Sequence, residues 1–304
     1  MLDKKLKILF YGTPDFAVAS LNLLCHSSFN IIGVVTAPDK PAGRGYKLSV
    51  SPIKIAAQEL KLPVFQPDNL KSQEFHNILL QLKPDIQIVV AFRMLPSIVW
   101  DFPPLGTFNL HASLLPNYRG AAPINWVLIN GEKETGVTTF KLKHQIDTGD
   151  IALSKRIEIL ANDNFFTLYN KLKIEGAKLL VETLIRIINN QLILTKQSFG
   201  IKLNTAPKIV TANKLLNYEN TILHNLNIIR AFYPSPGAFS YFNNKILKVF
   251  EAYPISKITN IQVNSVQILD NRIIFSCYDG DLVITSCQLE GKKRLDAQDF
   301  LRGL

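Results

Sequence analysis

Short, largely apolar runs alternate with amphipathic stretches through the first half of the chain. The apolar runs are typical of parallel strands buried on both faces, and the longer stretches have the spacing of helices with one apolar side. This β-α-β rhythm predicts an α/β fold with a doubly wound, mostly parallel sheet. We predict strands at residues 7–11, 31–36, 85–91 and 107–110, and helices at residues 14–25, 51–60 and 70–82.

Two prolines mark predicted helix starts. Pro14 follows Thr13, which predicts a first helix that begins at Pro14 with Thr13 as its cap, and Pro52 lies near the start of the second helix. In sheets of this kind, ligands bind beyond the carboxyl ends of the strands. The loops that follow the strands are therefore the places to search for a site.

The hydrophobic pattern changes after residue 188. The polar and basic passage at 189–208 is the best candidate for a linker, and the short alternating runs beyond it predict a small antiparallel, OB-like β-barrel or a sandwich. Three regions follow, at 1–188, 189–208 and 209–304. In this half we predict helices at residues 164–188 and 218–231, and strands at 246–252, 262–269, 272–278 and 282–286.

The charge of the chain indicates a polyanionic partner. Lys and Arg number 34 against 24 Asp and Glu, which gives a formal net charge of +10. A generally basic surface is the alternative, but residues 183–218 contain five basic residues and no acidic one. This uneven distribution favours binding to nucleic acid.

We expect a cytoplasmic chain that binds neither a membrane nor a metal. The apolar segment that ends at Tyr11 is too short for a signal peptide, and no apolar run reaches the 18 residues of a membrane span. Cys25, Cys277 and Cys287 are odd in number and lack C-x-x-C spacing. They are therefore predicted to be reduced thiols that pack in the interior.

Side chains suited to acyl transfer concentrate in two passages. Asn109 and His111 are two residues apart on a predicted strand, so they share one face. Asp147 and Asp150 flank a Thr-Gly turn that could hold a carboxylate over a strand end. An amide can stabilise an oxyanion, a histidine can carry a proton, and a carboxylate can orient it. By spacing alone, a core histidine and an ordinary turn remain open alternatives.

Six motifs extend along the whole chain. They are FYGTPDFA at residues 10–17, VVTAPDKPAGRG at 34–45, NLHASLLPNYRGAAP at 109–123, DTGDI at 147–151, APKI at 206–209 and RAFYPSPGAF at 230–239. The third and fourth are highly specific as a pair. With these motifs the chain resembles the formyltetrahydrofolate-dependent formyltransferases, and among them those that act on methionyl-tRNA.

The resemblance implies an activity and a division of labour. It implies transfer of a formyl group from 10-formyltetrahydrofolate to the α-amino group of initiator methionyl-tRNA, with residues 1–188 catalytic and residues 209–304 binding tRNA. No metal is required, and we expect a monomer. Asn109 and protonated His111 would stabilise the tetrahedral oxyanion, while Asp147 would keep His111 charged and help to take the amine proton. The folate-binding segment would be Ser113, Leu114, Leu115 and Pro116.

A basic loop at residues 37–48 is the predicted contact with RNA. Lys40, Arg44 and Lys47 lie in it, and Arg44 matches the arginine with which the relatives enter the acceptor stem. Lys208, the last residue of the basic passage at 189–208, is predicted to contact the tRNA backbone. These cations should make binding sensitive to salt.

Two positions differ from the pattern of the relatives. His144 lies three residues before Asp147, where relatives usually have an apolar residue, and we expect it to pack or to face solvent. Arg93 places a charge in the loop that should line the pterin pocket, where relatives tend to have a small or apolar run.

Two other classes of function remain open at this stage. One is another enzyme of the same fold, such as a sugar-nucleotide or glycinamide ribonucleotide formyltransferase or a formyltetrahydrofolate hydrolase. The other is a non-catalytic RNA-binding protein, for which we would expect at least one of Asn109, His111 and Asp147 to be replaced. The basic loop and the second domain favour the transferase that acts on tRNA.

Overall fold

The main sheet of the computed structural model has seven strands in the order β10-β9-β7-β6-β1-β2-β5. The structure describes residues 6–27, 29–42, 47–198, 203–258 and 265–304. Up to residue 188 its elements are β1 (Lys7–Gly12), α1 (Asp15–His26), β2 (Asn30–Val35), β3 (Lys40–Ala42), β4 (Lys47–Ser49), α2 (Pro52–Glu59), β5 (Val64–Phe65), α3 (Gln73–Leu82), β6 (Ile86–Val90), α4 (Ser97–Trp100), β7 (Thr107–His111), β8 (Arg119–Gly120), α5 (Pro123–Ile129), β9 (Glu134–Lys141), β10 (Ile151–Glu158) and α6 (Phe165–Ile188).

Five neighbouring strands of this sheet are parallel. β1 pairs with β2 and β6, β2 pairs with β5, and β6 pairs with β7, all in parallel. β3 and β4 form a separate antiparallel pair. The predicted mostly parallel α/β sheet is therefore confirmed.

β9 was not predicted, and it runs antiparallel to β7. The hydrophobic pattern did not reveal this strand, because its several threonines interrupt the apolar run expected of a buried strand. Two of these hydroxyls have local partners: Thr138 Oγ1 donates to the backbone oxygen of Ser113 at 2.7 Å, and Thr139 Oγ1 is 2.7 Å from Thr183 Oγ1. Paired hydroxyls can be buried at little cost.

Caps decide where the helices begin. Ser51 caps α2 by accepting from the backbone N–H of Lys54, and Pro52 lies in the first turn, where the sequence predicted it. The predicted Thr13 cap of α1 is wrong, since α1 begins at Asp15 and Pro14 occupies the cap position without a side-chain bond. The third helix starts three residues later than predicted because Ser72 caps it.

The core beside the sheet joins strands to helices. Leu9 and Tyr11 of β1 pack with Val89 of β6, and this cluster includes Phe75 and Leu79 of α3. These side chains are 5% exposed or less. Apolar burial on this scale fixes β6, which pairs with β7, the strand that carries Asn109 and His111.

The last hundred residues form an antiparallel sheet in the order β12-β13-β16-β15-β14, with β17 paired to β16. An isolated parallel bridge joins Tyr241 to Ser265, which links the two edge strands as a barrel requires. The predicted small antiparallel fold is confirmed, although residues 262–264 of one predicted strand lie outside the described residues. The elements are β11 (Thr205–Ala206), a 3-10 turn (Thr211–Lys214), α7 (Ile222–Ala231), β12 (Ala238–Phe242), β13 (Lys245–Ile255), β14 (Val266–Leu269), β15 (Arg272–Cys277), β16 (Gly280–Leu289), β17 (Leu295–Asp296) and α8 (Ala297–Arg302).

The chain divides into two compact units. The first consists of residues 1–119, 136–157 and 170–204, and the second of residues 120–135, 158–169 and 205–304. None of the helices in the described part of the chain has the length and hydropathy that a membrane crossing requires.

Candidate active site

His111 ends β7 with both ring nitrogens beside protein groups. Its Nε2 is 2.8 Å from the backbone oxygen of Tyr118. A carbonyl oxygen can only accept, so Nε2 carries a hydrogen and donates it. Nδ1 faces Oδ2 of Asp147 at 3.9 Å, and the two side chains are 7% and 14% exposed. This separation suits an ion pair and is too long for a hydrogen bond. The structure therefore brings together two of the predicted residues from distant parts of the chain.

Asn109 lies on the same face of β7, two residues before His111. It is half-buried, and its backbone lies between Val89 of β6 and Phe140 of β9. Within the described ranges no residue hydrogen-bonds to its side-chain amide. Its amide N–H groups are therefore available for an oxygen of a substrate.

The turn that carries Asp147 is tightly built. Asp147 has a φ of 54°, in the left-handed region, where Asp is tolerated better than most residues. The backbone N–H of Lys141 donates to the oxygen of Asp150 at 2.9 Å. A Cβ added at Gly149 would overlap the backbone oxygen of Lys141. The glycine therefore lets the turn fold back against the end of β9.

The segment predicted to bind folate is held by its own hydrogen bonds. Ser113 is fully buried, and its Oγ donates to the backbone oxygen of Asn117 at 2.7 Å. Thr138 Oγ1 accepts from the N–H of Leu115 at 3.2 Å. Leu114 and Pro116 are half-buried. The hydroxyl of Ser113 thus shapes the loop, and the neighbouring residues form its accessible surface.

Sequence reasoning missed Gln197, which lies in the passage predicted to be a linker. Its side chain is buried, and its Nε2 donates to the backbone oxygens of Asp147 and Gly149 at 2.9 and 2.7 Å. Its Oε1 accepts from Nε of Arg119 at 3.0 Å. Burial lowers the pKa of Arg119, and the charge of Asp147 opposes that shift. A single glutamine in a polar passage gives no sequence signal of such contacts.

An open cavity of about 410 Å³ lies in the first unit, between the loops that follow β5 and β6. Its wall includes residues 68–71 and 93–97, Trp100 and His144. Arg93 joins the two loops, because its guanidinium donates to the backbone oxygens of Pro67 and Asp68. His144 is exposed on the wall, which confirms that it faces solvent.

The residues predicted to contact RNA are described only in part. Lys40 is exposed in β3, and Lys47 lies in β4, but Arg44 and the side chain of Lys47 fall outside what is described. At the base of this hairpin, Asp39 accepts from Lys54 and from Gln66. These hydrogen bonds lower the pKa of Asp39, and the bond from Lys54 has the larger effect.

Lys208 is exposed in the second unit. The residue before it, Pro207, is held because its backbone oxygen accepts from Nε1 of Trp126 at 2.8 Å. In the described ranges, no three His, Cys, Asp or Glu side chains lie close enough together to form a metal site.

The chain matches two family models. Residues 4–184 match the model described as formyl transferase, and residues 208–304 match that of the formyl transferase C-terminal domain. A methionyl-tRNA formyltransferase of Bacteroides fragilis is 43% identical over 313 residues, which cover 100% of this chain and 96% of that protein. One from Flavobacterium psychrophilum is 41% identical and covers 99% of this chain and 97% of its own length.

A solved structure shows a similar fold. The N-formyltransferase of Helicobacter canadensis, solved in complex with folinic acid and dTDP-3-aminofucose, has a TM-score of 0.68 at 23% identity. The match covers 93% of this chain and 99% of that one.

Proposed function

The chain belongs to the methionyl-tRNA formyltransferases, and on that basis we propose that it uses 10-formyltetrahydrofolate to formylate the α-amino group of initiator methionyl-tRNA. Formylation of methionyl-tRNA is the activity of relatives that match over the full chain at 40–43% identity. The observation that carries the catalytic assignment is the pair of His111 and Asp147 at the end of β7. Asn109 lies on the same face of that strand.

The proposed reaction is a direct acyl transfer. The neutral amine attacks the formyl carbon, and a C–N bond forms as the carbonyl electrons move to the oxygen. The resulting oxyanion collapses, and the bond from the formyl carbon to N10 of the folate breaks. The amine nitrogen loses one proton and N10 gains one, so that the products are the formyl amide and tetrahydrofolate. No covalent intermediate with the protein is needed.

The geometry suggests which atoms act. Nε2 of His111 is engaged by the Tyr118 oxygen, so Nδ1 is the nitrogen left for the substrate. Nδ1 lies 3.9 Å from Asp147, too far for a hydrogen bond, so its hydrogen can be donated to an oxyanion. The amide of Asn109 supplies the second donor. Asp147 lies beside Nδ1 of His111, orients the ring and accepts the amine proton, directly or through a water.

The formyl donor would bind beside this trio. A solved relative in complex with folinic acid, matching at a TM-score of 0.68, supports a folate site in this fold. We propose that Ser113, Leu114, Leu115 and Pro116 form one side of it, with Ser113 acting through the shape of the loop. The cavity of about 410 Å³ has the volume of a site for a small molecule and is a candidate for part of the folate.

The acceptor RNA would be held by cations. We propose that Lys40, Arg44 and Lys47 contact the acceptor end, and that Lys208 contacts the backbone. The net charge of +10 and the exposure of Lys40 and Lys208 support this assignment. We keep residues 1–188 as the catalytic region, 189–208 as the basic connection and 209–304 as the OB-like tRNA-binding region. We further propose that the chain acts as a monomer in the cytoplasm, where translation consumes the product.

The test is a formyl-transfer assay. The chain is incubated with 10-formyltetrahydrofolate and methionyl-tRNA, and formylmethionine is quantified after the ester is hydrolysed. Asn109→Ala and His111→Gln should each lower kcat by about 100- to 1,000-fold, because each removes a donor to the oxyanion. His26→Gln, a change of an exposed histidine on α1, is the matched control and should keep the wild-type rate.

Two results would contradict the proposal. Formylation of an amino sugar or ribonucleotide amine, or release of formate without an acceptor, with no formylmethionine formed would assign the chain to another enzyme of this fold. A folded Asn109→Ala or His111→Gln variant with wild-type turnover would remove that residue from the catalytic group.

A further inference from the structure

We propose that Gln197 is a positioning residue that holds the Asp147 turn in register with His111. The inference rests on the proposed function, since it assumes that Asp147 is catalytic. Gln197 lies fifty residues beyond Asp147 in sequence, yet its Nε2 bonds to the backbone oxygens on both sides of Thr148. One side chain therefore bridges the part of the turn that carries the carboxylate.

The turn needs an external support. Asp147 is in the left-handed region with a φ of 54°, a conformation that persists in non-glycine residues when the surroundings enforce it. The Asp147 carboxylate is 14% exposed and lies 3.9 Å from Nδ1 of His111, so a small shift of the turn changes the separation of the pair. The two bonds from Gln197 lock the backbone from which this carboxylate projects.

The chemistry of the contacts requires an amide at this position. The oxygens of Asp147 and Gly149 only accept, so the NH₂ group must face them. Arg119 only donates, and its Nε lies 3.0 Å from Oε1. These three groups fix the orientation of the amide, and Gln197 is only 6% exposed. No carboxylate, hydroxyl or amine of similar size can satisfy both sides.

The main chain around Gln197 is anchored as well. The backbone N–H of Ile151 donates to Thr195 at 2.8 Å, and Thr195 donates back at 2.9 Å. This bridge ties the segment to the first residue of β10, directly after the turn. The backbone of the segment is therefore fixed at Thr195, two residues before Gln197, and this limits where the Gln197 side chain can lie.

The experiment compares Gln197→Glu and Gln197→Met. Glutamate keeps an acceptor for Arg119 but places an oxygen against two carbonyl oxygens, whereas methionine keeps the shape and removes every hydrogen bond. We expect kcat for formylation to fall about 100-fold in both, as for a displacement of a reacting group of about 1 Å. The KM values for 10-formyltetrahydrofolate and methionyl-tRNA should stay within about twofold. Gln191→Glu is the matched control, because it adds the same charge at an exposed glutamine of the same segment.

A double-mutant cycle separates positioning from a general effect on the fold. If Gln197 acts through Asp147, then adding Gln197→Glu to Asp147→Asn should lower kcat by no more than about twofold further. Three results would each overturn the proposal. They are a further fall in kcat of about 100-fold when Gln197→Glu is added to Asp147→Asn, an unchanged kcat in the single Gln197 variants, and failure of both single variants to fold. A wild-type chain that forms no formylmethionine would instead contradict the proposed function.

Discussion

At the scale of single residues, burial governs the chemistry of the cysteines. Cys277 and Cys287 are fully buried free thiols, which confirms the packing role predicted for them, and Cys25 is half-buried. Loss of solvent raises the pKa of Cys277 to about 11 and that of Cys287 to about 11. The folded chain should therefore protect both thiols from reagents that need the thiolate.

These two thiols predict a pH dependence of stability. In the unfolded chain a thiol ionises near pH 8.5, whereas in the folded chain both stay protonated to about pH 11. Their contribution to stability is complete below the unfolded pKa and is lost as the pH rises toward the folded one. We expect the free energy of unfolding in urea to fall between about pH 9 and pH 11. A Cys277→Val, Cys287→Val double variant, in which other titrating groups are unchanged, should show a shallower decline. An identical decline would contradict the assignment.

Some of the residue-level site is visible in the sequence and some is not. Asn109 and His111 share a face because strand periodicity places them there, and this could be predicted. The partner of Nε2 of His111 is a backbone oxygen, at Tyr118, and any residue type offers one. Gln197 also donates to backbone oxygens, those of Asp147 and Gly149, so its contacts could not be predicted from the types of the residues involved.

At the scale of elements, the site depends on a strand that the hydrophobic pattern does not reveal. β9 places Lys141, whose backbone N–H holds Asp150 at the end of the turn. The strands with continuous apolar runs were predictable because both of their faces are buried. β9 was not, since the buried hydroxyls of Thr138 and Thr139 are satisfied by partners that only the folded chain supplies.

The turn at the end of β9 gives a prediction for Gly149→Ala. The new methyl group would overlap the backbone oxygen of Lys141, which cannot move without breaking the end of the strand. We expect the free energy of unfolding to fall by about 1–3 kcal/mol and formylation to fall more steeply, since Asp147 is displaced. Urea unfolding and kcat measure the two effects.

Gly303→Ala is the control for that substitution. A Cβ at Gly303 would make only ordinary contacts, the nearest at 3.6 Å, so neither stability nor rate should change measurably. If Gly149→Ala behaved like this control, the close approach of the turn to β9 would not be important for the site.

At the scale of the whole molecule, charge distinguishes the two substrates. A formal net charge of +10 favours a large polyanion, whereas a folate is a small molecule that carries only a few charges. Rising salt should therefore weaken the use of methionyl-tRNA steeply and the use of 10-formyltetrahydrofolate only slightly. The sequence predicted this preference from composition, and the exposed positions of Lys40 and Lys208 agree with it.

Arg44 is the residue expected to contribute most directly to the salt dependence of methionyl-tRNA binding. It lies in the sequence between Lys40 of β3 and Lys47 of β4, and the base of this hairpin is held by the bonds of Asp39 to Lys54 and Gln66. If Arg44 binds a phosphate, Arg44→Ala should weaken methionyl-tRNA binding and reduce the slope of log K against log salt by about 1, while the KM for 10-formyltetrahydrofolate stays unchanged.

Lys178→Ala supplies the comparison for this slope. Lys178 is an exposed lysine paired with Glu175 on its own helix and lies outside the acid-free stretch at 183–218, so its removal takes away the same charge without a proposed phosphate contact. It should leave the slope and the affinity for tRNA near the wild-type values, since a distant exposed cation is screened. Equal effects of the two variants would mean that only the total charge matters. Loss of folate use in Arg44→Ala would place that arginine at the catalytic pocket instead of at the RNA.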